Sequence, residues 1–220
     1  MSFGYGAISD ANKLLCGVLL STLSVQAETV TIAALGDSLT AGYGLDQADG
    51  FVPQLQDWLT AQGADVAVIN AGVSGDTTAG GLSRVAWTLT PEVDAMIVTL
   101  GGNDFLRGID PKVSQANLDG ILQAGQEAGL PMLLVGLSVG SNYGANFKAA
   151  FEGMYPALAQ KYDIPLYPDF AAGLRGAASD GNLQAFLQPD GIHPNAAGVD
   201  AIVAAIGPTV LNLVKAAQED

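Results

Sequence analysis

Val30-Thr31-Ile32-Ala33-Ala34-Leu35-Gly36-Asp37-Ser38-Leu39 is an apolar run that stops abruptly at a glycine, an acid and a serine. Its apolar residues are nearly continuous rather than alternating. That pattern predicts a strand covered on both faces, which is the situation of a parallel sheet between two layers of helices. Working outward, residues 66–69, 95–100 and 132–137 carry the same kind of run. Between and after these runs, residues 51–61, 78–88, 112–128, 145–162 and 196–216 read as helices. Pro91, Pro131 and Pro165 stand where helices stop and strands begin. Alternation of strand and helix through the chain implies a three-layer α/β/α sandwich with right-handed crossovers. A less regular segment, residues 171–189, is expected to run over the surface before the last helix. There are no repeats, low-complexity tracts or linkers.

Composition narrows the function classes. The 220-residue chain is 49% apolar, enough for a sizeable core. Its 22 acidic and 8 basic residues leave a net charge of −14. Nucleic-acid binding and polybasic attachment to membranes both rely on Lys and Arg, so both are disfavoured. The 28 glycines suggest several backbone-tight loops.

Residues 1–27 differ from the rest. Lys13 precedes an apolar stretch, residues 14–25, and Val25-Gln26-Ala27 ends on a small residue. These are the parts of a secretory signal peptide, cleaved after Ala27, with one domain expected over residues 28–220. The stretch is short for a membrane span, and no other stretch reads as one. Cys16, the only cysteine, lies inside this leader. The mature chain would then have no disulfide and no thiolate nucleophile. Large Leu15 argues against lipidation of Cys16. The expected location is outside the cytoplasm, in the periplasm, and the expected state is a monomer.

In sandwiches of this type ligands bind outside the carboxyl ends of the strands. Ser38 follows the first strand directly, between Asp37 and Leu39. Taken alone it suits a nucleophile, a helix cap or a phosphate-cradling loop. Neither Gly-x-Gly-x-x-Gly nor a P-loop lysine accompanies it. The loops Asn70-Ala71-Gly72-Val73-Ser74-Gly75-Asp76-Thr77-Thr78 and Leu100-Gly101-Gly102-Asn103-Asp104 open on the same edge. Their backbone N–H groups and the Asn103 amide are potential oxyanion donors, although ordinary tight turns would look the same. His193, the only histidine, lies in Gln188-Pro189-Asp190-Gly191-Ile192-His193-Pro194-Asn195. If an imidazole activates Ser38, it can only be this one. Asp190, three residues earlier across a flexible glycine, can face the same cleft.

The four blocks Gly36-Asp37-Ser38-Leu39, Ser74-Gly75-Asp76, Gly101-Gly102-Asn103-Asp104 and Asp190-Gly191-Ile192-His193-Pro194 resemble those of the SGNH, or GDSL-type, hydrolase superfamily in identity, order and spacing. The chain is most similar to its bacterial thioesterase I, lysophospholipase and arylesterase group. Leu100-Gly101-Gly102-Asn103-Asp104-Phe105-Leu106-Arg107-Gly108 and Asn142-Tyr143-Gly144 carry that finer likeness. Ser138-Val139-Gly140-Ser141 departs from it, because the group carries a proline before its Asn-Tyr-Gly.

The resemblance implies a flavodoxin-like, five-stranded, mostly parallel sheet. It implies hydrolysis of small-molecule or lipid acyl esters and thioesters, with Ser38 as nucleophile, His193 as base and Asp190 as its orienting acid. The backbone N–H groups of Ser38 and Gly75 and the Asn103 amide would form the oxyanion hole, with no metal or organic cofactor. Leu106, Ile109, Tyr143 and Phe147 are candidates for the acyl groove, and Ile192 for contact with the leaving group. Asp37, Asp76 and Asp104 read as loop-fixing carboxylates. Three rivals stand beside this reading, of which a nucleotide-binding α/β protein is opposed by the acidic balance and the missing phosphate motif. A non-catalytic acyl-binding module would be expected to have lost some of these residues, yet none is lost. A carbohydrate deacetylase would need aromatic residues at the cleft, but Trp58 and Trp87 fall inside predicted helices.

Overall fold

A computed structural model describes residues 1–4, 28–179 and 181–219. The apolar stretch of the leader and Cys16 lie outside the described residues. Five strands, β1 (Val30–Gly36), β2 (Val66–Gly72), β3 (Ala95–Thr99), β4 (Met132–Val135) and β5 (Leu166–Tyr167), form one sheet in the order β2-β1-β3-β4-β5. Every pairing is parallel. This is the flavodoxin-like order, in which the chain reverses its direction of winding at β1 and β3.

The helices are α1 (Ser38–Ala41), α2 (Phe51–Ala61), α3 (Thr78–Thr88), α4 (Gly102–Leu106), α5 (Pro111–Glu127), α6 (Ala145–Tyr162), α7 (Ala172–Ala177) and α8 (Ala196–Glu219). One core packs α2, α7 and α8 on the sheet through Phe51, Leu55, Leu59, Phe170, Leu174, Ile202 and Ile206. The opposite core packs α3, α5 and α6 through Val85, Leu118, Ile121, Phe151 and Tyr155. The three-layer sandwich expected from the sequence is the architecture observed.

Strands β1, β3 and β4 are covered on both faces, as continuous apolar runs require. β2 is not. It is an edge strand, with Ile69 and Asn70 exposed, and its outer hydrogen-bonding edge is partly satisfied by one side chain. Gln56 of α2 accepts a hydrogen bond from the Val68 N–H (2.8 Å) and donates one to the Val66 carbonyl (2.7 Å). Such capping protects an otherwise open edge. β5 has two partly buried residues, too few to give a periodic signal.

Residues 171–189 correct the expectation of a surface-running segment. They include α7 and a 3₁₀ turn (Leu183–Phe186), and Leu174 is buried in the core. α8 is apolar and long enough to cross a membrane by length and composition, but half of its most apolar stretch is buried within the protein. Val199, Ile202, Val203, Ile206 and Val210 form its buried stripe, the 3.6-residue pattern of a helix packed on a sheet.

The contrast between a core and a surface apolar residue is testable. Leu59 is fully buried, whereas Trp87 on α3 is 85% exposed. Leu59→Ala is expected to cost about 2–5 kcal/mol of unfolding free energy, and Trp87→Ala to stay within about 0.5 kcal/mol of wild type. Urea titration checks both.

Candidate active site

β1 and β2 end at the same level, with Gly36 opposite Gly72. Beyond Gly36 the chain turns at once into α1, a single helical turn. Asp37 caps it, accepting the Leu39 N–H at 3.0 Å. The turn fits against β2 only because Gly72 has no side chain, since a Cβ there would lie 2.3 Å from the Ala41 nitrogen. Ser38 is thus held at the mouth of the sheet by backbone contacts on two strands.

The histidine loop is a tight excursion between Leu187 and Pro194, which form an isolated antiparallel bridge. The Gln188 N–H donates to the His193 carbonyl (2.8 Å), and Gly191 adopts φ +69° to close the turn. Asp190 folds back on this loop. Its Oδ1 accepts the N–H groups of Ile192 (2.9 Å) and His193 (3.0 Å), and its Oδ2 lies 2.6 Å from His193 Nδ1. His193 Nε2 lies 3.0 Å from Ser38 Oγ. With the proton on Nδ1, Nε2 is free to accept from the serine hydroxyl, so the three side chains form one hydrogen-bonded chain. The His193 imidazole, foremost, and the two backbone N–H groups hold the Asp190 carboxyl down at about 2. It therefore remains an acceptor, and a negative charge for an imidazolium, through the neutral and mildly acidic range.

A cleft of about 310 Å³ joins this chain to the other two glycine-rich loops, lined by Ser38, Tyr43, Gly75, Asn103, Leu106 and His193, among others. Gly75 sits at φ +85°, a conformation that favours glycine. Ser38 is in α1, Gly75 in the loop after β2 and Asn103 in α4, so three elements bring potential oxyanion donors to one cleft. Asn103 Nδ2 donates to Asp37 Oδ2 at 3.3 Å. A primary amide has a second N–H, and that one is not used by Asp37.

Residues 34–201 match the family model of GDSL-like lipases and acylhydrolases. The chain belongs to the GDSL-like lipase/acylhydrolase family. The esterase TesA of Pseudomonas aeruginosa is 39% identical over 91% of this chain and 98% of its own length. The thioesterase 1/protease 1/lysophospholipase L1 of Escherichia coli is 36% identical over 81% of each chain. Among solved structures, the SGNH-hydrolase family esterase AlinE4 is 42% identical, covers 84% of this chain and 96% of its own, and superposes with a TM-score of 0.69. This member of the family is accordingly a serine ester hydrolase of the SGNH type.

Several features of the site emerge that single-residue reading did not find. Tyr43 lies against His193, with ring centroids 4.7 Å apart, and Gln188 Nε2 ties the histidine loop to the Tyr43 carbonyl at 2.8 Å. Arg84 of α3 donates to three places at once: the Gly36 carbonyl (2.8 Å), the Ala71 carbonyl (2.7 Å) and Asp76 (2.7 Å). One guanidinium therefore fixes the Gly75 loop to the ends of β1 and β2. Arg107 donates to the Gly75 carbonyl from the far side (2.8 Å). Only its sequence proximity to the Asn103 block marked Arg107, and nothing local marked Arg84.

A second cavity of about 260 Å³ adjoins the cleft, sharing Leu39, Gly102, Leu106 and Ile192 with it. Phe105, Leu137, Val139, Leu174 and Leu187 add apolar walls. Of the acyl-groove candidates, Leu106 lines both cavities, while Ile109, Tyr143 and Phe147 line neither; Ile192, the candidate for contact with the leaving group, also lines both. Tyr143 and Phe147 instead back Phe105, with centroid distances of 5.7 and 6.3 Å to its ring. Among the described residues no group of three or more His, Cys, Asp or Glu side chains is arranged to hold a metal ion.

The three loop carboxylates differ. Asp76 pairs with Arg84. Asp104 is fully buried and accepts from the Thr78 N–H, the Thr78 hydroxyl and the Ser114 hydroxyl. Asp37 is buried with fewer donors, and burial pushes its carboxyl up from 3.8 to about 6, against the pull of Leu39, Asn103 and His193. The folded state therefore binds this proton more tightly than the unfolded state. Its contribution to stability declines as pH rises from about 4 to 6 and is level above that. Relative to Asp37→Asn, wild type should lose up to about 3 kcal/mol of unfolding free energy between pH 4 and pH 7, for a shift near two units. Urea unfolding of both proteins at the two pH values measures this difference.

Proposed function

We propose that Ser38, His193 and Asp190 act as a catalytic triad that hydrolyses small carboxylic esters and thioesters through an acyl-enzyme. The observation that carries this reading is the continuous chain from Asp190 through His193 to Ser38 Oγ, opening on a cleft with three potential oxyanion donors. His193 Nε2 takes the Ser38 proton as Oγ bonds to the acyl carbon. The carbonyl oxygen becomes an oxyanion held by the N–H groups of Ser38 and Gly75 and the free N–H of the Asn103 amide. Each such donor is typically worth about 2.7–4 kcal/mol in the transition state. His193 returns the proton to the departing alkoxide or thiolate. Water then loses a proton to His193, attacks the acyl carbon and releases the acid and Ser38. Asp190 keeps the proton of the neutral imidazole on Nδ1 and stabilises the imidazolium.

The acyl chain occupies the second, apolar cavity and the leaving group exits past Tyr43 and Ile192. The arylesterase of Vibrio mimicus, 34% identical, and the thioesterase and lysophospholipase named above support a substrate range of aryl and thiol leaving groups. The character of residues 1–27 supports secretion to the periplasm, with cleavage near Ala27 and a monomeric mature domain over residues 28–220.

Hydrolysis of p-nitrophenyl esters from acetyl to palmitoyl tests the reading. Wild type is expected to turn over, and Ser38→Ala and His193→Ala to lose activity by about four to six orders of magnitude each, with little further loss in the double variant, as groups acting as a unit do. Absence of turnover by folded wild type on every ester and on acyl-thioesters would overturn it.

A further inference from the structure

The stretch that departs from the family pattern, Leu137-Ser138-Val139-Gly140-Ser141, forms part of the wall of the second cavity. It has no proline to restrict its backbone, yet it is held at four points by charged side chains. The Ser138 N–H donates to Asp169 (3.2 Å), which pairs with Arg175. The Ser138 hydroxyl donates to Glu152 (3.0 Å) and the Val139 N–H donates to the same carboxylate oxygen (2.9 Å). Lys148 donates to the Val139 carbonyl and to Glu152. Both polar groups of Val139 are thus bound to one i,i+4 pair on α6. That helix is itself anchored in the core by Phe151, Met154, Tyr155 and Leu158. The Val139 and Leu137 side chains pack partly buried against that core.

We propose that Glu152 and Lys148 are positioning residues for substrate selection, clamping Val139 so that the wall of the apolar cavity is rigid and the enzyme favours esters long enough to fill it. This rests on the reading that the second cavity takes the acyl chain. A rigid wall gives each added methylene apolar contact as it enters, worth about fourfold in kcat/KM per fully buried methylene. A loose wall admits water and returns less. Short acyl groups that do not reach Val139 are indifferent to the clamp.

The test compares kcat/KM for p-nitrophenyl acetate and octanoate in wild type, Glu152→Ala, Glu152→Gln and Lys148→Met. The octanoate-to-acetate ratio is expected to fall at least tenfold in Glu152→Ala, with acetate turnover within about twofold of wild type. Glu152→Gln retains an oxygen acceptor for Ser138 and Val139 and is expected to recover most of the ratio. Lys148→Met frees the Val139 carbonyl and removes the pairing with Glu152 but leaves the bonds from Ser138 and the Val139 N–H to Glu152, so it is expected to lie between, and it carries the test if Glu152→Ala does not fold. An unchanged ratio in these variants overturns the proposal. So does an equal loss on acetate and octanoate by folded protein, which would make the pair a support of the reacting centre. Failure of the ester-hydrolase reading looks different, because wild type itself would then turn over neither ester.

Discussion

The parallel pairing of β1 between β2 and β3 is the constraint on which the rest of the protein depends. It forces the chain to wind in opposite directions from the middle of the sheet and so leaves a crevice at the strand ends. Ser38 follows β1, Gly75 follows β2 and Asn103 follows β3, so three adjacent strands deliver three loops to one crevice. Only His193 and Asp190 arrive from elsewhere, on the loop before α8. That loop is held by the Leu187–Pro194 bridge and by Gln188. Packing of α8 along the core therefore fixes where the imidazole meets the serine.

Charge is distributed in this crevice with different environments for chemically identical groups. Asp190 is open to solvent and surrounded by donors, so it stays ionised. Asp37 is buried with few donors, so its charge is disfavoured, and it acts on α1 and on the Asn103 amide. Asp104 is buried but receives three hydrogen bonds, and it joins α4 to α3 and α5. The two arginines beside the Gly75 loop work on backbone carbonyls. Arg84, through its fork, ties Asp76 in the Gly75 loop to the paired ends of β1 and β2. A lysine, with one nitrogen, has no equivalent geometry.

The apolar cavity has a different construction. Its walls come from α4, the loop after β4, α7 and the histidine loop, and aromatic residues of α6 stand behind Phe105 without reaching the cavity. A loop held by side-chain bonds to α6 is more adjustable in evolution than one held by a proline, because single substitutions on α6 alter it.

The strand positions and helix bounds at 51–61, 78–88 and 145–162 were legible in the sequence because burial imposes local periodicity on the residues that experience it. The order of the sheet was not readable from that periodicity; it followed from the likeness of four motif blocks to a known family. β5 and α7 escaped because two or six residues are too short for a period to register. At the site, Ser38, Gly75, Asn103, Asp190 and His193 stood out because their four blocks together resemble a known family, whereas each block alone would equally suit a helix cap or an ordinary tight turn. The contact of Tyr43 with His193, the Arg84 fork and the Glu152–Lys148 clamp did not stand out. They join residues from 8 to 150 positions apart in the sequence, on exposed or half-exposed side chains that bear no pattern of their own. The sequence by itself determined which segments are buried and which residues have the right chemistry. The tertiary structure alone decided which side chains support them and which apolar residues face the cavity, because those contacts depend on how the crossovers bring distant segments together.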